Sequence, residues 1–338
     1  MSSAVKRATP VELEAAVQTL RAGELVAFPT ETVYGLGADA RNPAAVRRIF
    51  AVKGRPAHHP VIVHLPGLDS VRDWAREVPP AARRLAERFW PGPLTLVLPR
   101  APAVDDAVTG GQDTVALRVP SHPVAQQLLA AFRGGIAAPS ANRYGRLSPT
   151  RAEHVREEFG STVRVILDGG ECQIGLESTI VAFQDSQPRL LRPGAITAGQ
   201  IRQVAGELAL GADDASPRVP GSTTAHYAPS TPLTIVPAGE IDAQATAWSA
   251  GGRRVAVLAW RRPLATHPSV TWVNAGRHAQ QYGHDLYNCL RTLDKAGCRR
   301  ILVQDVPEGE DWAAIRDRLR RAAADAGPGD GALEAQAT

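Results

Sequence analysis

Lysine is scarce in this chain. The 38 basic residues include three lysines, at positions 6, 53 and 295, so the other 35 are arginines. An ammonium binds phosphate as a compact point charge, which a planar guanidinium does not reproduce, so Lys53 is a candidate phosphate ligand. Charge itself indicates no nucleic-acid surface, because the formal net charge of +4 is not gathered into a block of like sign.

Cysteine is scarce too, and long apolar runs are absent. Cys172, Cys289 and Cys298 show no C-x-x-C spacing, which argues against a zinc site. No apolar run approaches the roughly 18 residues of a membrane span, and the first residues lead into a polar helix rather than a signal-peptide core. We therefore expect a cytoplasmic protein with free thiols, no membrane partner and no metal bound by its own side chains.

Several familiar catalytic and nucleotide-binding motifs are also missing. The chain contains no G-x-x-x-x-G-K-[ST], no H-E-x-x-H and no G-x-S-x-G. Residues 35–40 match the loose pattern G-x-G-x-x-A. Six residues separate the first glycine from the end of the preceding strand, however, so the tight strand–turn–helix of a dinucleotide site is absent. No acid stands about 20 residues further on to bind a ribose, so a dinucleotide site is not predicted.

The pattern that is present predicts an α/β protein of two domains. A length of 338 residues favours about two domains. Residues 1–210 alternate strand-like and helix-like segments, and residues 211–232 form a linker with prolines at 217, 220, 229 and 232. Residues 233–338 show a βαβ pattern that predicts a smaller Rossmann-like α/β domain, with a frayed tail from Gly327.

Helix boundaries can be predicted from capping residues. Thr9, Pro10 and Glu12 are typical of a helix start and predict a helix over 10–22. Asn42 likewise predicts a helix that Gly54 ends. Further helices are predicted over 80–90, 123–132, 151–159, 197–208 and 311–323, and strands over 25–28, 61–65, 94–98, 115–119, 163–167 and 177–182.

The most ordered stretch of the sequence is residues 25–37. A strand-like run ends at Pro29, and three hydroxyls and the carboxylate of Glu31 follow at once. Gly35 and Gly37 then allow the backbone to come close to a ligand. Since open α/β sheets bind ligands at strand ends, this stretch is a candidate binding loop; the alternative is a plain hairpin with incidental threonines.

Similar polar groups follow other strands of the first domain. They are Thr32, Lys53, Arg55, His64, Arg118, Ser140, Asn142, Ser148, Ser178 and Arg192. Four or five cations with hydroxyls suit a polyphosphate together with a carboxylate. No nucleophile–base pair stands out, so catalysis would depend on positioning and charge stabilisation, as in nucleotidyl transfer.

Two of these cations have a simpler alternative explanation, and a third must have a partner. Lys53 and Arg55 stand at a predicted helix end, where they would also compensate the helix dipole. Arg118 interrupts an apolar strand, so it must pair with an internal acid or with an anionic ligand.

Five motifs resemble a known family. They are PTETVYGL at 29–36, KGRP at 53–56, WPGPLT at 90–95, PSAN at 139–142 and EST at 177–179. Together they resemble the YrdC-like family, the L-threonylcarbamoyladenylate synthases. Pro220-Gly221 and the HYAP run at 226–229 resemble its long form. The resemblance implies a YrdC-like, twisted mixed-sheet catalytic domain followed by the smaller Rossmann-like α/β domain.

The resemblance also implies an activity and its site. Such enzymes join L-threonine, bicarbonate and ATP into threonylcarbamoyl-AMP and release pyrophosphate, and other proteins use the product to modify tRNA. Carried over by position, threonine is held by Thr32, His64, Arg118, Ala138 and Ser178. ATP is held by Arg55, His59, Thr114, Ser140, Asn142, Ser148, Arg192, His226 and Tyr227, with Lys53 and Arg55 as the catalytic cations. Mg²⁺ is expected with ATP, and no tightly bound organic cofactor is expected.

Alternatives remain open at this stage. The chain could be a non-enzymatic module that binds double-stranded RNA or tRNA, and weak RNA binding is possible even for an enzyme. It could also be a carbamoyltransferase-type relative that uses carbamoyl phosphate, although the Cys/His spacing of the modules those proteins carry is absent. The linker is interpreted as a lid over ATP that uses His226 and Tyr227, or alternatively as a tether docked on the second domain.

Overall fold

The structure is a computed structural model that describes residues 7–184, 186–221, 223 and 225–324. The tail predicted to fray from Gly327 lies outside the described residues. Within them, no helix is both long and apolar enough to cross a membrane.

The first domain is organised around a mixed sheet, which has ten strands in the described residues. The strands are β1 (Val26–Phe28), β2 (Gly35–Asp39), β3 (Ile62–His64), β4 (Leu94–Pro99), β5 (Thr114–Arg118), β6 (Ile136–Ala137), β7 (Val165–Ile166), β8 (Thr179–Gln184), β9 (Gln187–Arg192) and β10 (Ala209–Leu210). Their order across the sheet is β10-β9-β8-β4-β5-β3-β6-β2-β1-β7. The pairs β1–β2, β2–β6, β3–β6, β4–β5 and β8–β9 are antiparallel, and the other neighbours are parallel. The predicted mixed-sheet α/β fold is confirmed.

Helices cover this sheet and begin where the capping residues predict. They are α1 (Pro10–Arg21), α2 (Pro43–Lys53), α3 (Pro80–Phe89), α4 (Asp106–Thr109), α5 (Pro123–Phe132), α6 (Ala152–Phe159) and α7 (Ala198–Ala205). Thr9 and Glu12 form a reciprocal capping box on α1. Asn42 accepts hydrogen bonds from two backbone amides at the start of α2, and Gly54 ends that helix in the left-handed conformation.

Two local details differ from the predictions. Residues 25–37 form a hairpin, with Gly35 and Gly37 in its second strand, because β2 pairs antiparallel with β1. A Cβ at Gly37 would come within 2.8 Å of the Phe28 ring, so sheet packing requires that glycine. The helix predicted over 197–208 ends at Ala205, because Gly206 turns the chain into β10.

The second domain has a parallel sheet, as predicted. Its elements are β11 (Leu233–Val236), α8 (Ile241–Ser249), β12 (Val255–Ala259), β13 (Val270–Asn274), α9 (Ala279–Asp294), β14 (Ile301–Gln304) and α10 (Ala313–Ala323). The strand order is β11-β14-β12-β13. On α9, Tyr282, Leu286, Leu290 and Leu293 are buried on one face, as their spacing predicts.

The two domains share a hydrophobic core. Leu147 and Leu176 of the first domain and Tyr227 of the linker pack in one cluster with buried residues of α9, α10 and the second sheet. Burial of apolar surface is the main favourable contribution to docking of this kind. The second domain is therefore packed directly against loops of the first.

Candidate active site

A cleft lies where strand-end loops of the first domain meet the linker. In this structure the cleft is narrow, with a cavity volume of about 50 Å³. Its lining includes the predicted site residues Thr32, Arg55, His64, Arg118, Ala138, Ser140, Ser178, Arg192, His226 and Tyr227. Lys53, His59, Thr114, Asn142 and Ser148 lie outside this lining. The roles predicted for all these residues stay predictions.

Arg118, at the end of β5, is paired with an internal acid. Its Nη2 donates to Glu31 Oε1 at 2.6 Å, and its Nη1 donates to Thr32 Oγ1 at 2.9 Å. Its Nε also donates to the carbonyl of Gly92. The sequence left open whether Arg118 pairs with an internal acid or with an anionic ligand, and the structure shows the internal acid Glu31. Three of the five guanidinium N–H groups are occupied, which leaves two for a ligand.

His64 stands beside Arg118 in the register of β3 and β5. Burial, and then the neighbouring positive charge of Arg118, lower the pKa of His64 to about 3. The imidazole is therefore neutral near pH 7. Its Nδ1 is buried and has no hydrogen-bond partner among the described residues, so it is available to a ligand.

Arg192, at the end of β9, is fixed by backbone carbonyls. Its Nε and Nη2 donate to the carbonyl of Ser178 at 3.0 and 2.9 Å, and its Nη1 donates to that of Pro220 at 2.8 Å. The hydroxyl of Ser178 is 2.7 Å from that of Thr95 and accepts from Arg192 at 3.0 Å. Arg192 thus joins the EST motif to the linker.

Lys53 lies behind the cleft rather than in it. Its ammonium donates to the carbonyl of Ser140 at 2.6 Å and to that of Asn142. Burial, and then the positive charge of Arg55, lower the pKa of Lys53 well below its usual value. In this arrangement Lys53 holds the loop that carries Ser140.

Arg55 does line the cleft. Its Nη2 donates to the carbonyl of Pro60 at 2.8 Å, and its guanidinium lies 6.0 Å from the ring centroid of Tyr144. Burial lowers its pKa to about 10, so it remains a cation at pH 7. The His59 and Tyr144 rings are in edge contact, and burial, then Arg55, lower the pKa of His59 to about 4.

The linker closes one side of the cleft with two rings. His226 contacts the ring of Tyr144 at a centroid distance of 5.6 Å and the ring of Tyr227 at 4.1 Å. Tyr227 also packs on Tyr287 of α9 at 5.9 Å. Both linker rings are buried and line the cleft, so they contact the second domain and the cleft together.

Several residues of the site were missed by the sequence predictions. They are Glu31, Tyr144, Glu177, Tyr287 and Arg318. Glu31 and Glu177 could have been found, because each stands inside a quoted motif beside a predicted ligand. Tyr287 and Arg318 carry no local signal, since they reach Glu177 only through the docking of the second domain.

Metal ligands are not evident. The described residues contain no group of three or more His, Cys, Asp or Glu side chains that could hold a metal ion. Glu177, which lines the cleft, is paired with Arg318, and Glu31, which contacts Arg118 from outside the lining, is paired with that guanidinium. The three cysteines are free thiols.

Comparisons with known proteins agree with this architecture. The family model described as "Telomere recombination", which covers the Sua5, YciO and YrdC proteins, matches residues 18–194. The model of the threonylcarbamoyl-AMP synthase C-terminal domain matches residues 196–324.

Individual relatives match almost the whole chain. The threonylcarbamoyl-AMP synthase of Pyrococcus abyssi is 40% identical over 314 residues, which cover 90% of this chain and 91% of that protein. The Bacillus subtilis enzyme is 41% identical over 92% of this chain and 93% of its own length. The crystal structure of P. abyssi Sua5 complexed with L-threonine superposes with a TM-score of 0.88 at 38% identity, over 95% of this chain and 96% of that one. With both of its domains matched, this chain belongs to the threonylcarbamoyl-AMP synthase family, in its long, two-domain form.

Proposed function

We propose that this protein condenses L-threonine, bicarbonate and ATP into threonylcarbamoyl-AMP and pyrophosphate. The threonine nitrogen bonds to the bicarbonate carbon, from which an oxygen leaves as water, and an oxygen of the resulting carbamate bonds to the α-phosphorus as the bond from that phosphorus to pyrophosphate breaks. The observation that carries the proposal is one cleft that contains three guanidinium groups, those of Arg55, Arg118 and Arg192, among hydroxyls and neutral imidazoles.

The charges in the cleft suit two different anionic groups. Arg118 has two N–H groups left for the threonine carboxylate, and the Thr32 hydroxyl and the neutral His64 lie beside it. Arg55 and Arg192, with the linker rings, are placed to face phosphates. Since negative charge accumulates on the leaving pyrophosphate, fixed guanidinium groups stabilise the transition state without reorganisation.

The cleft contains no nucleophile activated by a neighbouring base among the described side chains. The lining carboxylate Glu177 is bound to Arg318, nearby Glu31 is bound to Arg118, and burial lowers the pKa values of His64 and His226 to about 3. The reaction joins substrates that bring their own nucleophile and leaving group. The protein is then required to position them, which by itself accelerates a reaction by a large factor.

Mg²⁺ is best treated as part of the nucleotide substrate. Glu177 in the cleft and Glu31 behind Arg118 each have an arginine partner, so these side chains do not provide a ready site for a resident metal ion. Mg²⁺ commonly binds to proteins through substrate phosphates and retained waters. We propose that Mg–ATP is the form that enters the cleft.

The alternative functions have less support. The P. abyssi and B. subtilis relatives, which match over both domains, are named threonylcarbamoyl-AMP synthases. Weak binding of tRNA, and transfer of the product to downstream threonylcarbamoyl-transferase proteins, stay predictions.

One assay tests the proposal. Purified protein is incubated with Mg–ATP, and pyrophosphate release is measured with and without L-threonine and bicarbonate, while the nucleotide product is identified by mass. We expect pyrophosphate only when both co-substrates are present, together with the mass of threonylcarbamoyl-AMP. Pyrophosphate release that ignores threonine or bicarbonate would refute the proposal.

A further inference from the structure

Glu177, beside Ser178 at the start of β8, receives most of its hydrogen bonds from the second domain. Arg318 Nε of α10 donates to Oε2 at 2.7 Å. The Tyr287 hydroxyl of α9 lies 3.0 Å from Oε2 and 3.1 Å from Oε1. The first domain itself supplies the hydroxyl of Ser148, which donates to Oε1 at 2.5 Å.

We propose that the second domain completes the catalytic cleft, with Arg318 and Tyr287 acting as positioning residues that hold Glu177 in place. Arg318 does not line the cleft, and its residue surface is 1% exposed, so it acts through Glu177 rather than on a substrate. The proposal rests on the proposed function, because that function identifies the cleft as the catalytic site. It adds a role for the second domain.

The charge balance of Glu177 depends on the second domain. Glu177 is 6% exposed, and a carboxylate so deeply buried needs a compensating charge. Burial raises the pKa of Glu177, but the positive charges of Arg318 and then Arg192 lower it by more. The resulting pKa is about 2, below the usual value of a glutamate. Arg192 already donates to the carbonyls of Ser178 and Pro220, so it cannot replace the direct bond from Arg318.

The remaining neighbours of Glu177 keep this charge arrangement in place. Asp317 accepts from Arg318 Nη1 at 2.6 Å, and the Arg318 guanidinium lies 5.2 Å from the ring centroid of Tyr227 in the linker. Burial raises the pKa of Tyr227, and burial lowers that of His226 to about 3, so both rings are neutral near pH 7. The charged groups at this point of the structure are therefore Glu177, its two arginines and Asp317, which shares Arg318 with Glu177.

Apolar contacts fix the same two loops. Leu147 and Leu176 directly precede Ser148 and Glu177 in the sequence, and both pack in the hydrophobic core of the second domain. Any shift of α9 or α10 would therefore move Ser148 and Glu177 together. Small displacements of this kind have large effects on positioned reactions.

The experiment compares two buried tyrosines of α9. Tyr287→Phe removes the hydroxyl bound to Glu177 and keeps the ring. Tyr282→Phe is the matched control, because the Tyr282 hydroxyl is buried with no hydrogen-bond partner among the described residues. We expect kcat/KM for threonylcarbamoyl-AMP synthesis to fall at least fivefold in Tyr287→Phe and to stay within twofold of wild type in Tyr282→Phe. Equal activities in two folded variants would overturn the proposal.

A double-mutant cycle tests the ion pair. Arg318→Met and Glu177→Gln should each lower kcat/KM at least tenfold, and the double variant should be no worse than the more impaired single variant, because both changes act on one interaction. Lys295→Met is the control, since it removes an exposed ion pair with Glu157 across the same domain interface. Additive losses in the cycle, or an equal loss in Lys295→Met, would show a purely structural role and overturn the proposal.

Two further readouts cover the other outcomes. If Arg318→Met does not fold, the two tyrosine variants decide the question alone. If wild-type protein releases no threonine-dependent pyrophosphate, the proposed function fails, and ATP titrated by calorimetry tests the cleft instead. Tyr287→Phe should then bind ATP at least threefold more weakly than Tyr282→Phe, and equal affinities would overturn the inference independently.

Discussion

Glu31 and Arg118 form a buried ion pair, with 2.6 Å between Oε1 and Nη2 and both side chains 4% exposed. Glu31 Oε2 also accepts from the backbone amide of Ser121 at 3.0 Å. Arg118 therefore faces the cleft with its charge already matched. An anionic ligand is attracted less strongly to it than to an unpaired arginine, which favours moderate and reversible binding of a carboxylate.

This pairing predicts opposite effects of two substitutions on threonine binding. Glu31→Gln removes the matching charge, so the threonine carboxylate becomes the counter-ion of Arg118 and should bind roughly tenfold tighter, about 1.4 kcal/mol. Arg118→Ala should weaken threonine binding by more than tenfold, since truncating a buried, hydrogen-bonded charge costs about 2–5 kcal/mol. Calorimetry with threonine measures both. Weaker binding in Glu31→Gln would contradict this account.

The position of Tyr227 over the cleft can be tested with two glycines of the linker. A Cβ at Gly221 would lie 2.2 Å from the Tyr227 hydroxyl oxygen, whereas one at Gly211 would have nothing within 4 Å, and both residues have a φ of +76°. Each alanine substitution costs about 1–2 kcal/mol of backbone strain. We expect only Gly221→Ala to lower kcat, by roughly tenfold, because only it displaces Tyr227. A similar loss in Gly211→Ala would show that backbone strain alone matters.

The role of Lys53 is predicted to appear in stability as well as in turnover. Lys53→Met removes the donor to the carbonyls of Ser140 and Asn142, and unsatisfied buried acceptors cost about 1–3 kcal/mol. The free energy of unfolding should fall by that amount, and turnover should fall because Ser140 moves. A large loss of turnover with unchanged unfolding free energy would instead indicate that Lys53 contacts the nucleotide.

The buried histidines predict a pH dependence of stability. Burial, with the positive charge of Arg118 as second cause, lowers the pKa of His64 to about 3, and the pKa of His226 is also about 3. Below the unfolded value near 6.5 the unfolded chain binds protons that the folded chain does not. Stability is therefore complete above about pH 6.5 and falls as pH decreases, by up to about 1.4 kcal/mol per pH unit for each histidine.

Urea unfolding at pH 7, 6 and 5 measures this dependence. The slope of unfolding free energy against pH reports how many more protons the unfolded chain binds. In His64→Asn this number should be smaller by about one between pH 6 and 5, so the slope should decrease by about 1.4 kcal/mol per pH unit. An unchanged slope would mean that His64 is protonated in the folded protein.

Discrimination between threonine and serine should be partial. Ile62 and Ala138 provide apolar surface in the cleft that Thr32 also lines, where a methyl group can be bound. One methyl is worth about 1–3 kcal/mol, so kcat/KM for serine should be roughly 10–200-fold lower than for threonine. Parallel pyrophosphate assays with the two amino acids measure the ratio, and equal rates would exclude a pocket for the methyl group.

Much of the fold follows from local chemistry. The capping residues Thr9 and Asn42 place two helix starts correctly, because a cap satisfies backbone amides within three residues. The apolar runs place most strands of both sheets. The motifs identify the family and most of the cleft lining, because their polar residues stand directly after strands.

Only the tertiary structure decides the partners of those groups. Arg118 needs a partner by its burial alone, but Glu31, 87 positions away, is selected by the pairing of strands. Glu177 and Arg318 are 141 positions apart in different domains, and no local pattern connects them. Local sequence determines which polar groups lie at the strand ends. The oppositely charged partner of each group depends on how the sheet and the second domain pack, which is a property of the whole chain.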